Sequence, residues 1–357
     1  MSGKVLGVLG AVGLITLGGA GAAAATPTAA APRWHVVKTV HTGTTGDFEA
    51  LVATGKTAGW AFDQTASGPV AWERTGMSTW KTVPFPVKGG DEYVFAADAV
   101  SASDVWAFTD RFSGGSTTSG AVRWDGHTWS GVKLPAEISG ASVPGRNDVW
   151  VFGSGAWRYN GHTWTRESMN LDFSGGSALS ATDAWAFSGT NVYHWNGREW
   201  TGTSVKSLLP AVQQGLNHPL VSSILALSTR NVYAVGNGDA QDAGGPIVVL
   251  HYNGHKWSRV ADGANPILGD GYGGVQVTTD GDGGLWIPTF GAHGTLSFLL
   301  HYSSGKLTDA KLPIGMGSIT VDSVAHIPGT TEELTGGNTH PAYQPGQNEV
   351  AVILQYS

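Results

Sequence analysis

Twelve histidines and a scatter of loop carboxylates are the side chains of this 357-residue chain that suit metal binding or acid–base work. Zinc needs three or four His, Cys or carboxylate ligands brought together, and the compact helical form of such a site is a His-Glu-x-x-His run. The chain has no such run and no cysteine. His127, His162 and His255 each follow an Asp-Gly or Asn-Gly pair, while His194, His251 and His301 each precede an aromatic residue, so all six recur at repeating places. Repeating residues belong to separate structural units and are expected to be structural. Asp104, Asp148 and Asp183 also recur, just ahead of Val-Trp or Ala-Trp, where a carboxylate accepts main-chain hydrogen bonds and fixes a turn. Asp280-Gly281-Asp282-Gly283-Gly284 has the look of a calcium loop but lacks the later acidic ligands, notably the bidentate Glu. No metal site, cofactor or catalytic residue is therefore assigned.

Binding residues concentrate on loops held by a rigid scaffold, so segments that break the repeat are the better candidates. Three insertions stand out: Thr109 to Gly120, Gly236 to Gly245 and Gly336 to Glu349. They carry Asp110, Arg111, Asp239, Asp242, His340 and Tyr343. Two long connections, Gly202 to Pro219 and Ala261 to Gly273, add His218, Asp270 and Tyr272. Such a set suits a sugar, a peptide or a cation. Glycoside hydrolysis would need two of the carboxylates at a defined separation across the substrate, and no pair is singled out.

The elements that must position these residues are legible in the fifteen tryptophans. A strand of small and branched residues recurs as Phe48 to Ala53, Tyr93 to Ser101, Ile138 to Val143, Gly176 to Ala181, Val221 to Ser228, Gly274 to Thr279 and Ile319 to Ile327. Each leads into a second strand marked by Trp60, Trp106, Trp150, Trp185, Tyr233, Trp286 or, last, Leu334. A third strand ends in Trp124, Tyr159, Trp195, Tyr252, Tyr302 or Tyr356; the first copy has Arg74 there, with Trp72 two residues earlier. Asp-Gly and Asn-Gly pairs follow, whose positive φ angles suit tight hairpins. Trp80, Trp129, Trp164, Trp200 or Trp257 then opens a fourth strand, with Leu307 in the sixth copy. The spacing is that of four-stranded propeller blades. The tryptophans are expected to pack between blades, because they recur in every copy and bury more surface than other side chains.

The seventh copy lacks a fourth strand after Tyr356, whereas Arg33-Trp34-His35-Val36-Val37-Lys38-Thr39-Val40 reads as a fourth strand without the first three. The expected fold is all-β: a seven-bladed β-propeller of four-stranded antiparallel blades, its ring closed by the N-terminal strand. Closure removes an edge that would otherwise invite strand addition. The propeller takes residues 32–357. Residues 1–31 read as a signal peptide and short linker, from Lys4, the uncharged run Val5 to Leu17 and the small residues Ala22 to Ala25. The chain is expected to be secreted, extracellular and monomeric, free of the membrane once the leader is cleaved. Charged residues make up only 13% and the net charge is -7, so no basic surface awaits nucleic acid.

Ser103-Asp104-Val105-Trp106-Ala107-Phe108 with Trp124-Asp125-Gly126-His127-Thr128-Trp129, and the matching Asn147-Asp148-Val149-Trp150 with Tyr159-Asn160-Gly161-His162-Thr163-Trp164, resemble exported actinobacterial-type β-propellers. That family carries Asp-Val-Trp-Ala and Trp-Asp-Gly-x-x-Trp repeats and sits in the broad kelch and galactose-oxidase-like superfamily. Asp183-Ala184-Trp185-Ala186-Phe187 with Trp195-Asn196-Gly197-Arg198-Glu199-Trp200 is a third match. The resemblance implies the fold and says little of activity. Galactose oxidase needs a Cys-Tyr crosslink, which a chain without Cys cannot form. Sialidase Asp boxes place the Asp differently, and quinone dehydrogenases have eight blades. The expected function is a secreted, non-enzymatic binding or scaffold propeller, holding an extracellular carbohydrate or protein at its loop-rich channel mouth. The competing reading is an extracellular polysaccharide hydrolase or lyase using Asp110, Asp239, Asp242, Asp270 and His340.

Overall fold

In Val105-Trp106-Ala107-Phe108 all four side chains are fully buried, although successive residues of a strand point to opposite faces. A strand apolar on both faces lies between two other layers. Val105 and Ala107 join one apolar cluster with Trp60 and Phe62, while Trp106 and Phe108 join another with Val149 and Val151. The same division holds for Val149-Trp150-Val151-Phe152 and Ala184-Trp185-Ala186-Phe187. Each sheet is thus packed between its two neighbours.

The computed structural model describes residues 31–41, 46–168, 170–210, 219–238, 246–263, 276–289, 298–313, 318–340 and 350–357. Of the expected signal peptide and linker, residues 1–31, all but the last residue lie outside them, and no described helix is long and apolar enough to cross a membrane. Seven four-stranded antiparallel sheets form the blades. Blade 1 runs Asp47–Gly55, Ala58–Gln64, Val70–Arg74 and Trp80–Val83; blade 2 runs Glu92–Ser101, Asp104–Ser113, Ser116–Trp124 and Trp129–Val132. Blade 3 comprises Ile138–Gly145, Asp148–Gly153, Gly155–Tyr159 and Trp164–Arg166, and blade 4 Gly175–Ser180, Asp183–Ser188, Asn191–Trp195 and Trp200–Ser204. Blade 5 is Leu220–Ser228, Asn231–Asn237, Ile247–Tyr252 and Trp257–Gly263. Blade 6 is Thr278–Thr279, Leu285–Thr289, Phe298–Ser303 and Lys306–Asp309.

Blade 7 takes Ser318–His326, Glu333–His340 and Val350–Tyr356 from the C-terminal side and Trp34–Val40 from the N-terminal side. The closing strand pairs Trp34 with Tyr356 and Val40 with Ala351, with a bulge between Val36 and Lys38. Trp34 meets Trp286 of blade 6 edge-on at 5.2 Å. The expected fold and its closure are what the chain adopts.

One rule governs the seams. The aromatic of a second strand packs into the third- and fourth-strand aromatics of the next blade: Trp60 on Trp124 and Trp129 at 4.9 Å, Trp150 on Trp195 and Trp200, Trp185 on Tyr252 and Trp257. Blades 7 and 1 depart from it. Leu334 stands where the other blades have Trp or Tyr, and Arg74, 1% exposed, replaces the facing aromatic. The Arg74 guanidinium donates to Gln355 Oε1 at 2.8 Å and to the carbonyls of Gly76 and Met77. Gln355 in turn donates to Glu332. The seam that joins the chain ends is therefore polar at the place where the others are aromatic.

The recurring acids act differently from expectation. Antiparallel pairing sets the residue before each third-strand aromatic opposite the second-strand Trp, as Arg123 opposite Trp106 and His194 opposite Trp185. That side chain covers the indole and reaches the acid. Asp104 accepts a two-pronged bond from Arg123 at 2.7 and 2.9 Å, and Asp183 meets His194 at 2.9 Å. Asp280 meets His301 at 2.9 Å, and Asp148 lies 3.8 Å from Arg158. The imidazoles stack on Trp185 and Trp286 at 4.2 and 4.0 Å. Three of the recurring histidines are explained in this way, His251 doing the same for Asn231. Arg123→Met should keep cover over Trp106 but leave the 3%-exposed Asp104 carboxylate with only the exposed Arg146, 3.9 Å away, a loss of about 2 kcal/mol. Urea unfolding would measure it, and an unchanged midpoint would refute the role.

The Asp-Gly turns also differ in detail. Trp124 pairs with Trp129 across four intervening residues, and the Asp125 carboxylate accepts from the N–H groups of His127 and Thr128 at 2.8 Å. Only Gly126 has positive φ, 97°, and a Cβ there would lie 2.9 Å from that of Ser103. The pair thus builds a side-chain-capped four-residue loop in which Gly alone takes the positive φ expected of the pair.

Candidate functional site

The seven first strands surround a cavity of about 350 Å³. Leu51, Asp98, Ser142, Gly176, Ile224, Thr278 and His326 line it, one from each blade. Along part of this wall a polar side chain ties its blade to the next. Asp98 accepts from the Val143 N–H at 2.7 Å, Ser142 from Ala178 at 3.0 Å and Ser177 from Ala226 at 3.1 Å. Asp98 is thus the acidic version of a serine position, and burial raises its carboxyl to about 6 against the two main-chain bonds that favour ionisation.

Antiparallel order puts the connections between second and third strands, and those between blades, at one mouth of this channel. Tight turns occupy the other. On the tight-turn face the buried or half-buried acids have partners: Asp104 with Arg123, Asp183 with His194, Asp280 with His301, Glu332 with Lys56 and Glu333 with His326. The Asp280 turn caps itself as well, its Oδ1 accepting from Asp282 and Gly284 at 2.8 and 2.7 Å. That fills the acceptor a calcium ion would use. Among the described residues no group of three His, Asp or Glu is placed to share a metal ion.

The loop-bearing mouth is different. Asp110, half-buried in the outer half of a long strand, accepts from Ser119 at 2.6 Å. Burial raises its carboxyl, the Ser119 bond opposes this, and nearby Glu137 adds to the rise. Arg111, next along, turns the other way and lies 3.5 Å from Asp91 and 3.6 Å from Glu92. The two neighbours are therefore split across a strand. His340 ends the second strand of blade 7, opposite Ser318. Asp239, Asp242, Asp270, Tyr272 and Tyr343, and also His218, lie outside the described residues.

Sequence reasoning missed Glu49 and Asp63. Asp63 is fully buried at the end of a second strand and accepts from the Asp47 N–H at 3.2 Å. Glu49 is raised to about 8, chiefly by burial and then by the charges of Asp47 and Asp63. Asp63 is raised to about 7, again chiefly by burial. The only signal in sequence is an acid between Phe48 and Ala50, both fully buried. Asp110 and Glu49 both press on Tyr93 and, after burial, push its phenol upward. Among the described residues no cation forms an ion pair with Glu49, Asp63 or Asp110.

The insertion Thr109 to Gly120 is strand rather than loop, and the described part of Gly336 to Glu349 begins as strand. Asp104–Ser113 and Ser116–Trp124 pair up to Ser113 and Ser116 around Gly114 and Gly115, whose φ angles are 60° and 81°. Gly-Gly between alternating polar residues was the available hairpin signal. In blade 7 the second strand continues through Gly336 to His340.

No family model matches the chain, and no curated protein matches it. Solved structures do resemble it. YCF48 bound to a D1 peptide superposes with a TM-score of 0.56 at 12% identity, over 90% of this chain and 96% of that one. The WD40 propeller domain of Doa1 gives 0.56 at 11%, over 90% and 97%. The extracellular domain of the BT4673 two-component system from B. thetaiotaomicron gives 0.58 at 10%, over 90% of this chain and 39% of that one. At such identities the likeness is one of fold alone, that of a β-propeller.

Proposed function

We propose that this chain is an exported, non-enzymatic binding or scaffold propeller whose ligand, a protein or a carbohydrate, is held at the mouth bearing the longer connections. The observation that carries this reading is the unequal charge compensation of the two faces. Acids on the tight-turn face are matched by Arg, His or Lys, as a purely structural acid should be. Among the described residues Glu49, Asp63 and Asp110 at the opposite mouth have no such partner, and their carboxyls are all raised. Uncompensated buried carboxylates cost stability, and sites that carry them are candidates for a function.

A protein ligand is favoured over a carbohydrate, since a propeller of like fold is known with a peptide bound. Export and the kinship with tryptophan-repeat actinobacterial propellers rest on the leader-like residues 1–31 and on the repeat motifs. The protein acts as a monomer outside the cell. The hydrolase or lyase alternative calls for paired carboxylates in one cavity; Asp98 is the carboxylate lining the channel, and it is bound to two main-chain N–H groups.

Peptide and glycan arrays probed with residues 32–357 would test the reading. Binding that weakens with salt and is lost in Asp110→Lys is the expected result. Release of reducing ends from a polysaccharide by the wild type would overturn it in favour of the hydrolase.

A further inference from the structure

Blade 2 carries an edge that its own sheet does not use. Its third strand, Ser116–Trp124, pairs along its whole length with the second strand, but the fourth strand covers only Ala121–Trp124. In blades 4 and 5 the fourth strand covers the entire third strand, and in blade 6 Ala310 extends the cover by bonding Leu299. Among the described residues no main-chain bond reaches the outer side of Ser116–Gly120. In an antiparallel hairpin closed by Ser113 and Ser116, alternate residues face outward. Thr117 and Ser119 therefore direct their main-chain N–H and C=O groups at the open edge.

The surroundings define what would fit. Phe112, at the tip and opposite Thr117, is 62% exposed, far more than an aromatic in this core. On the same face of the hairpin Asp110 reaches Ser119, whose Oγ accepts from the Ile138 N–H at 3.1 Å. Glu137, just before Ile138, is exposed and close enough to raise the Asp110 carboxyl. Neither acid has an ion-pair partner among the described residues. The edge thus offers hydrogen-bonding main chain, one aromatic ring and two carboxylates.

We propose that Ser116–Gly120 is a docking edge for an extended polypeptide bearing Lys or Arg at alternate positions, which adds as a further strand beside blade 2. Main-chain bonds supply the affinity of such an addition and alternate side chains the selectivity. A basic side chain on the Asp110 face would meet both carboxylates, and the aliphatic stem of the next basic residue on that face, two positions along, would lie toward Phe112. This rests on the binding reading above and names its mode and ligand class.

The probe is a fluorescein-labelled, capped octapeptide of alternating Lys and Val, with alternating Glu and Val as the control. Polarisation should show binding of the Lys peptide, weakening with salt, and none of the Glu peptide. Amide exchange should slow in segment 113–120 when the Lys peptide is present. Thr117→Pro removes an outward N–H at an edge, where proline is tolerated, and should weaken binding about tenfold or more with little change in Tm. Asp110→Asn should weaken it without touching the main chain. No binding of the Lys peptide, equal binding of the Glu peptide, or undiminished binding by Thr117→Pro would each overturn the edge. A concentration-dependent dimer abolished by Thr117→Pro would instead assign the edge to a second copy. If an array ligand binds Thr117→Pro as well as wild type, the binding reading stands while the edge falls.

Discussion

Deleting Arg33–Val40 is expected to lower Tm by well over 10 °C, with aggregation on heating. The strand contributes Trp34, 5% exposed, and Val40, 9% exposed, and it pairs from Trp34–Tyr356 to Val40–Ala351. Trp34→Ala alone should cost about 3–5 kcal/mol. At roughly 2–4 °C per kcal/mol for chains somewhat smaller than this one, that single change already approaches 10 °C. The deletion also uncovers Val350–Tyr356, in which Ala351 to Leu354 are at most 1% exposed, and an apolar unpaired edge invites intermolecular pairing. Lys38 over the Trp72 ring, 4.2 Å away, is lost too. Calorimetry of the mature chain with and without the strand reads the effect. Addition of a synthetic 33–40 peptide should recover part of the lost Tm. A truncated chain that melts like the intact one would mean that the ring does not depend on this closure.

The blades were legible because one residue type reports the seams. Trp60, Trp106, Trp150 and Trp185 repeat in sequence because each fills the same inter-blade gap, and their near-complete burial follows from that. Closure was legible from two incomplete repeats at opposite ends. The polar seam was not: Arg74 reads as a missing aromatic, and its partner Gln355 is 281 positions away. The extended hairpin of blade 2 was read as a loop because its tip is Ser and Gly, weak strand formers, and its Thr residues carry no apolar alternation; the register of the blade carries them outward. The mouth acids were harder still. Asp110 was singled out because it interrupts a repeat, whereas Glu49 and Asp63 sit inside regular strands. Their meaning depends on how close the strands of blade 1 bring them to Asp47, a distance that no pattern in one strand encodes.

Those two carboxyls should make the protein lose stability as pH rises from 7 to 9. Glu49 is raised to about 8 by burial and then by Asp47 and Asp63, and Asp63 to about 7 chiefly by burial. For both, the folded protein holds a proton that the unfolded chain has given up near pH 4. Their contribution is therefore whole at low pH and is lost as pH climbs through the folded values. His251 and His326 are lowered by burial and act in the opposite sense: their contribution is complete above pH 6.5 and fails as pH falls. Above pH 7 the histidines no longer oppose the carboxyls. Glu333, buried beside His326 in blade 7, is also raised and loses stability in the same direction. From Glu49 and Asp63 the expected loss between pH 7 and 9 is about 2 kcal/mol. Glu49→Gln keeps the shape of the side chain and removes its charge, so at pH 9 it should be more stable than the wild type by roughly 4 kcal/mol. Urea midpoints at pH 7, 8 and 9 for both proteins read the difference directly. Parallel curves would show that Glu49 is ionised at neutral pH and that the mouth presents its charge openly to a ligand; a flattened curve for the variant would show that a ligand cation must first displace a proton.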